Sequence, residues 1–415
     1  MQAVVPRAAV DVDAAMEAAN RICAEVRRHG EAAVLAATRR YDGVDEPVLA
    51  VPQQAMSQAY DQIDADVRAA LGESISRLRR TCLAERPADV TTAVSTGGQV
   101  MRRHVPVRRV GLYVPGGLAP LVSSVVMNVV PAQVAGVESI AVSTSPQRER
   151  GGLPHPVVLA GCVALGIDEV YAVGGAQAIA MLGYGAGACR PVDLITGPGN
   201  VYVTAAKRVL RGRVGTDGDA GPTEIMVLAD DSADSRHVAA DLISQSEHDP
   251  SAASVLVTVS PALAERVRDE LAQQVGAAKH AERISASLSG RQSAIVLVDD
   301  LDQALAVADA YAAEHLSIQT RDADEVAMRV HNAGAVFVGP YTPVSLGDYC
   351  AGSNHVLPTG GSARHSSGLS VSTFLREVHV VRYDEASLRD IAPAVSALAE
   401  AEDLPAHGSA VRARL

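Results

Sequence analysis

Three short segments of this 415-residue chain carry side chains able to do chemistry. SQSEHD sets Gln245 and His248 three apart, AAEHL puts Glu314 beside His315, and GDYCAGSNHVLPTGG (347–361) packs Asp348, Asn354 and His355 into a glycine-broken loop. Carboxylates and imidazoles gathered from loops and helix ends suit a zinc-type metal with an acid–base pair beside it. Three apart on a helix, Gln245 and His248 share a face; Asp348 would add a carboxylate and His407, near the chain's end, a second imidazole. One carboxylate, one amide and two neutral imidazoles leave a bound dication near about +1, still a Lewis acid. Each residue alone has a plainer account. A helical His is ordinarily a surface residue, amide oxygens seldom bind zinc, and an isolated Glu-His is an exposed carboxylate before a half-buried ring. Imidazole, with an ordinary pKa of about 6.5, is the natural base near neutrality.

Other motifs are weaker. GGAQA (174–178) and GPGN (197–200) each follow a strand-like run and open a helix, where free amides can meet phosphate. On its own each is better explained by a tight turn, and no GxGxxG is present. Glu402 and His407 stand five apart in a tail that also reads as a solvated terminal helix.

Stepping outward to the positioning elements, the first ninety residues have helical periodicity, with the first helix ending at Gly30. From about residue 108 the period changes. VGLYV, SIAVST, EVYAVGG and DLITG alternate with helical stretches at 121–135, 153–165, 176–183 and 200–211. SVLVTVS, AIVLVDD, HLSIQT and AVFVGP then alternate with helices near 236–247, 261–277, 301–313 and 323–332. This rhythm predicts an α/β protein with two Rossmann-like parallel sheets. The strand-like HVVRYD then leads into a helical tail. The Glu314–His315 pair sits at a helix-to-strand junction, expected on the carboxyl side of its sheet.

Composition narrows the function classes. A net charge of −12 argues against nonspecific nucleic-acid binding. No apolar run reaches the roughly 18 residues of a membrane span, and the start lacks a signal-peptide layout. Five scattered cysteines form no CxxC pair, so a disulfide framework or thiolate zinc knuckle is not expected. A cytoplasmic protein of more than one domain is expected. Only two lysines, Lys207 and Lys279, are present, which reads as coding bias.

The segments above, with VGLYVPGG (110–117), VMNVVPAQVAGV (126–137), VGGAQAIAML (173–182), GPGNVYVTAAKR (197–208), AGPTEI (220–225), ARHSSGLSV (363–371) and AEDLPAH (401–407), resemble the histidinol dehydrogenase family from about residue 20 to the end. The resemblance implies a zinc-dependent, NAD-linked, four-electron oxidation of L-histidinol to L-histidine through the aldehyde, the last step of histidine biosynthesis. It implies Gln245, His248, Asp348 and His407 as zinc ligands, one ion per subunit, His315 as base and Glu314 as activator of water. Tyr113, Gln177 and Asn200 match NAD-contacting positions. Thr223, His355 and Glu402, with His315 and the metal set, match substrate-contacting ones; Thr223 stands where many relatives have Ser. The family layout further implies an inserted NAD-contacting unit at 111–223. The larger domain would be made of 1–110 and 224–369, with a 370–415 tail reaching the partner in a homodimer. The competing readings are a relative oxidising another polar alcohol such as a sulfonated diol, a zinc hydrolase using Glu314, and a noncatalytic metal-binding protein.

Overall fold

The computed structural model describes residues 5, 7, 12–116, 119–218 and 221–415. Helix Val12–His29 buries Val12, Ala15, Ala19, Cys23 and Val26 along one stripe and carries Arg27, Arg28 and His29 in its last turn, where cations suit the helix dipole. It stops at Gly30. Three further helices, Glu31–Asp42, Gln53–Gln62 and Ala65–Glu85, follow. The last is capped by the Asp64 carboxylate, which accepts from the Asp66 and Val67 N–H groups.

The two predicted α/β series form two five-stranded parallel sheets. In spatial order the first is Val170–Ala172, Ser139–Thr144, Arg109–Val114, Leu194–Thr196 and Gly215–Thr216. The second is Ala294–Leu297, Ala253–Thr258, Glu224–Ala229, His315–Gln319 and Ala335–Val338. Both follow the doubly wound order 3-2-1-4-5, which places a switch point beside the first strand of each. Alternate residues face opposite layers. Val110, Leu112 and Val114 enter one core and Tyr113 the other; Met226 and Leu228 are likewise divided from Ile225 and Val227. With both faces covered, these strands are near-continuous apolar runs.

The central strand Glu224–Ala229 goes beyond the sequence expectation, which treated AGPTEI only as a motif. A third sheet is also new. Val90–Ser95, Gly98–Pro106 and Leu375–Tyr383 pair antiparallel and lie largely exposed. Helices Glu385–Ala401 and Pro405–Arg412 complete the tail. The amino-terminal helices lean on the first sheet's layer: Arg79 donates to Gln133 Oε1 at 2.8 Å and Gln53 to the Asp168 carbonyl at 2.5 Å. No helix among the described residues is long and apolar enough to cross a membrane.

Candidate active site

The carboxyl edge of the first sheet faces the amino edge of the second, and a cavity of about 490 Å³ lies between them. Gly197–Gly199 and Thr216–Gly218 line it from the first sheet; Thr223, Glu314 and His315 line it from the second. Glu314 and His315 therefore correct the expectation of a carboxyl-side position. His315 is the first residue of its strand, and in a parallel sheet a helix-to-strand junction must precede the strand, at the amino edge.

Helix Leu301–Tyr311 ends in Ala312, which adopts the left-handed conformation (φ 51°, ψ 62°) and turns the chain into Glu314. Gly334 passes beneath; a Cβ there would stand 2.5 Å from the Glu314 carbonyl oxygen, so only glycine fits. Glu314 Oε2 accepts from Thr223 Oγ1 at 2.6 Å and from the Glu224 N–H at 2.9 Å. Burial pushes the carboxyl up to about 8 against these two bonds. His315 Nδ1 lies 3.1 Å from the Glu224 carbonyl, a pure acceptor, so Nδ1 carries the proton and Nε2 is left as the ring's lone-pair acceptor. Burial holds the imidazole below its ordinary pKa and keeps it neutral.

Helix Ser235–Ser246 runs back across the second sheet, so Gln245 arrives at its carboxyl end, where the dipole favours a cation. The Gln245 amide donates to Thr223 Oγ1. His248 lies in the turn beyond the helix, not on a shared helical face with Gln245 as expected, because the helix ends at Ser246; its Nε2 is 3.9 Å from Asp348 Oδ2. Asp348, in helix Val344–Tyr349, also receives His355: that ring's Nδ1 lies 3.1 Å from the Asp348 carbonyl, while Nε2 is 3.4 Å from Ser124 Oγ. Burial lowers the His355 pKa as well.

A second cavity of about 1450 Å³ opens beside the first and shares His248, Asp348, Tyr349 and Leu121 with it. Tyr113, Gln177 and Asn200 all line it. Tyr113 is the penultimate residue of the strand Arg109–Val114, and its hydroxyl accepts from the Gly175 N–H at 3.1 Å. Gln177 Nε2 donates to Asp42 Oδ2 at 3.2 Å. Asn200 caps helix Val201–Leu210, accepting from Tyr202 and Val203.

The structure thus brings ten of the twelve predicted residues to two joined cavities. Glu402 and His407 are the exceptions: both are exposed in the tail and line neither cavity. Sequence reading missed the supports. Glu224 grips both members of the acid–base pair through its main chain, and its signal was adjacency to Thr223. Asp42 holds Gln177, and burial pushes its carboxyl up to about 6. Lys207, one of only two lysines, is buried, bonds the Gly197 carbonyl at 2.5 Å and pairs with Asp217 at 2.5 Å. That anchors GPGN from beneath.

A family model described as histidinol dehydrogenase matches residues 5–415. A histidinol dehydrogenase of Thermobifida fusca is 61% identical over 414 residues, covering 100% of this chain and 94% of the relative. One of Mycobacterium tuberculosis is 58% identical over 419 residues, with 100% and 94% covered. The crystal structure of histidinol dehydrogenase from Elizabethkingia anophelis superposes with a TM-score of 0.93 at 30% identity, covering 98% of this chain and 92% of that one. The protein is an oxidoreductase, and its chain belongs to the histidinol dehydrogenase family.

Proposed function

We propose that this protein oxidises L-histidinol to L-histidine through L-histidinaldehyde, using NAD and one zinc ion per subunit. One observation carries the reading: Gln245, His248 and Asp348 line the same cavity as Glu314 and His315. The donor set fits zinc with one member short. Two ligands about 2.1 Å from a tetrahedral ion stand about 3.4 Å apart, close to the 3.9 Å between His248 and Asp348. Gln245 would supply an amide as third donor, and His407 a fourth from elsewhere. The larger cavity suits a dinucleotide, exceeding the roughly 300–1,000 Å³ of ordinary small-molecule clefts. When bound, zinc would anchor the substrate's imidazole and amino nitrogens and NAD would accept a hydride in each oxidation.

The chain's own residues handle protons. Neutral His315, with Nδ1 engaged by Glu224, offers Nε2 to the alcohol proton and then to the aldehyde hydrate. Glu314, once ionised, is a stronger base than an exposed glutamate and deprotonates the water that attacks the aldehyde. Thr223 keeps its carboxylate aligned. Overall, two hydrides leave to two NAD molecules, one water oxygen enters and three protons are released. On this reading the tail serves a partner subunit, a homodimer with Glu402 and His407 completing the neighbour's site, and substrate binding also involves His355 and the metal set. The domain cuts near 110, 223 and 369 are supported by a first sheet confined to 109–216 and a second confined to 224–338. A biosynthetic enzyme of this kind would work in the cytoplasm.

The test supplies histidinol and NAD and counts NADH per histidinol consumed; two are expected. No NADH would sink the reading in favour of a hydrolase, and preference for a sulfonated diol over histidinol would move the substrate. A thoroughly chelated preparation, verified metal-free by elemental analysis, is expected to be inactive and to recover with zinc. Full activity without metal excludes the zinc role.

A further inference from the structure

We propose that Arg7, from the amino-terminal segment, is a positioning residue for the Glu314–His315 pair, acting through Glu224 and Tyr311. This rests on the oxidation proposed above. The Arg7 guanidinium sits where three site-bearing segments meet. Its Nη1 donates to both Glu224 carboxylate oxygens, at 2.8 and 2.9 Å. Its Cζ lies 4.0 Å over the Tyr311 ring, a cation–π contact. A Cβ on Gly361 would stand 3.3 Å from the same guanidinium, so the loop after His355 closes over it.

The Glu224 and Tyr311 contacts lead to the acid–base pair. Glu224 holds Glu314 with its N–H and His315 with its carbonyl. Tyr311 is the last residue of its helix, immediately before the left-handed Ala312 that aims Glu314. Val5, two residues before Arg7, is buried in one cluster with Tyr311 and Ala313, so the same segment supports that turn by packing as well as by charge. Glu224 is 4% exposed. Without Arg7 the buried Glu224 carboxyl loses its counter-charge and two hydrogen bonds; a proton can neutralise it, but the space left beside it frees the strand start and the turn to shift. Neither Arg7 nor Tyr311 lines the cavity, so the effect is on alignment and not on substrate contact.

Arg7→Met keeps the aliphatic stem and removes the charge; Arg7→Lys restores a charge with one point of contact. Both are assayed beside the parental protein with histidinol and with supplied histidinaldehyde, and folding is followed by thermal melting. Arg7→Met is expected to lose about thirty- to a hundredfold in kcat for both substrates with KM within about twofold, the scale of an approximately 1 Å misplacement. Arg7→Lys should recover most of it, staying about three- to tenfold below parental. Unchanged kcat in folded Arg7→Met, or a loss confined to KM, overturns the proposal. If Arg7→Met does not fold, Arg7→Lys is read alone by the same split: a three- to tenfold fall in kcat at constant KM supports it and parental kcat overturns it. A parental protein that forms no NADH from histidinol removes the oxidation reading itself, and this proposal with it. An active parent with an unaffected Arg7→Met removes only this proposal.

Discussion

Thr223 is the smallest side chain in the cavity with two duties. Its hydroxyl accepts from the Gln245 amide and donates to Glu314 Oε2, joining a proposed metal ligand to a proposed base through one oxygen. Thr223→Val keeps the shape and removes both bonds, leaving a buried carboxyl and a buried amide each short of a partner, at about 1–3 kcal/mol apiece. Its kcat for histidinol is expected to fall about ten- to a hundredfold, while Thr223→Ser, which keeps the hydroxyl, stays within about threefold. Equal kinetics for the two variants would show the hydroxyl idle. Glu314→Gln should slow oxidation of supplied aldehyde far more than oxidation of alcohol, because only the aldehyde step consumes activated water; His315→Asn should slow both. Parental aldehyde turnover in the Glu314 variant would end that division of labour. At this scale the sequence was informative because Glu314, His315, Gln245 and His248 are short-range pairs, each delivered by the end of one element and the residues beside it. The grip of Glu224 was hidden because it is made by main-chain atoms, which any residue type would supply.

Between elements, Asp241 has a role no motif announced. Its buried carboxylate accepts from the Val344 N–H at 3.3 Å and the Ser317 hydroxyl at 3.4 Å. It therefore ties the helix that carries Gln245 to the strand that begins at His315 and to the helix that ends at Tyr349 beside Asp348. With only neutral partners bonding it, burial pushes its pKa up to about 6. The unfolded value is about 3.9, so the native state binds the proton more tightly. That contribution to stability is full below about pH 4 and is lost as pH rises through 6. Asp241→Asn can keep both bonds and never ionises. By urea denaturation it should exceed the parent by about 1–3 kcal/mol at pH 8 and match it near pH 4. A pH-independent difference would show that the carboxylate is not the titrating cost. Element types were legible where periodicity was strong: helices at 122–135 and 261–277 and the strand Ser139–Thr144 fall where the alternation put them. Of the antiparallel sheet only HVVRYD, within Leu375–Tyr383, was legible as a strand; Val90–Ser95 and Gly98–Pro106 were not, because strand periodicity needs one buried face. Glu224–Ala229 was missed for a different reason. Its apolar run IMVLA is like those of the buried strands that were read, but it runs straight on from AGPTEI and was absorbed into that motif.

For the whole molecule the tail is the part that reaches beyond one chain's own cavities. Its sheet and helix leave Val90, Val94, Val381 and Leu398 exposed by 45–65%, apolar surface that a partner subunit would cover. Glu402 and His407 stood out in the sequence by type, but no local pattern says which copy of the cavity they serve. If His407 serves the neighbour, a His407→Ala chain paired with a His315→Ala chain forms one intact site and one doubly broken site. Equal mixing of the two inactive homodimers should then restore about a quarter of parental sites. Verified subunit exchange with no recovery would exclude a shared site.

The third sheet also sets a timetable. Gly98–Pro106 pairs along its whole length with Leu375–Tyr383, from Gly98 opposite Tyr383 to Pro106 opposite Leu375. A ribosome adding about 5–20 residues per second exposes the first of these strands roughly tens of seconds before the second exists. Throughout that interval Gly98–Pro106 has Val90–Ser95 on one side and a bare edge on the other, an invitation to another nascent chain. Arg102 and Arg103 stand in the middle of that strand, and paired charges on an unfilled edge repel a second copy of the same strand. The native partner brings Glu377, 3.7 Å from Arg102. Like charge on that edge works against the pairing of two copies of the strand, and Glu377 offsets Arg102 once the sheet closes.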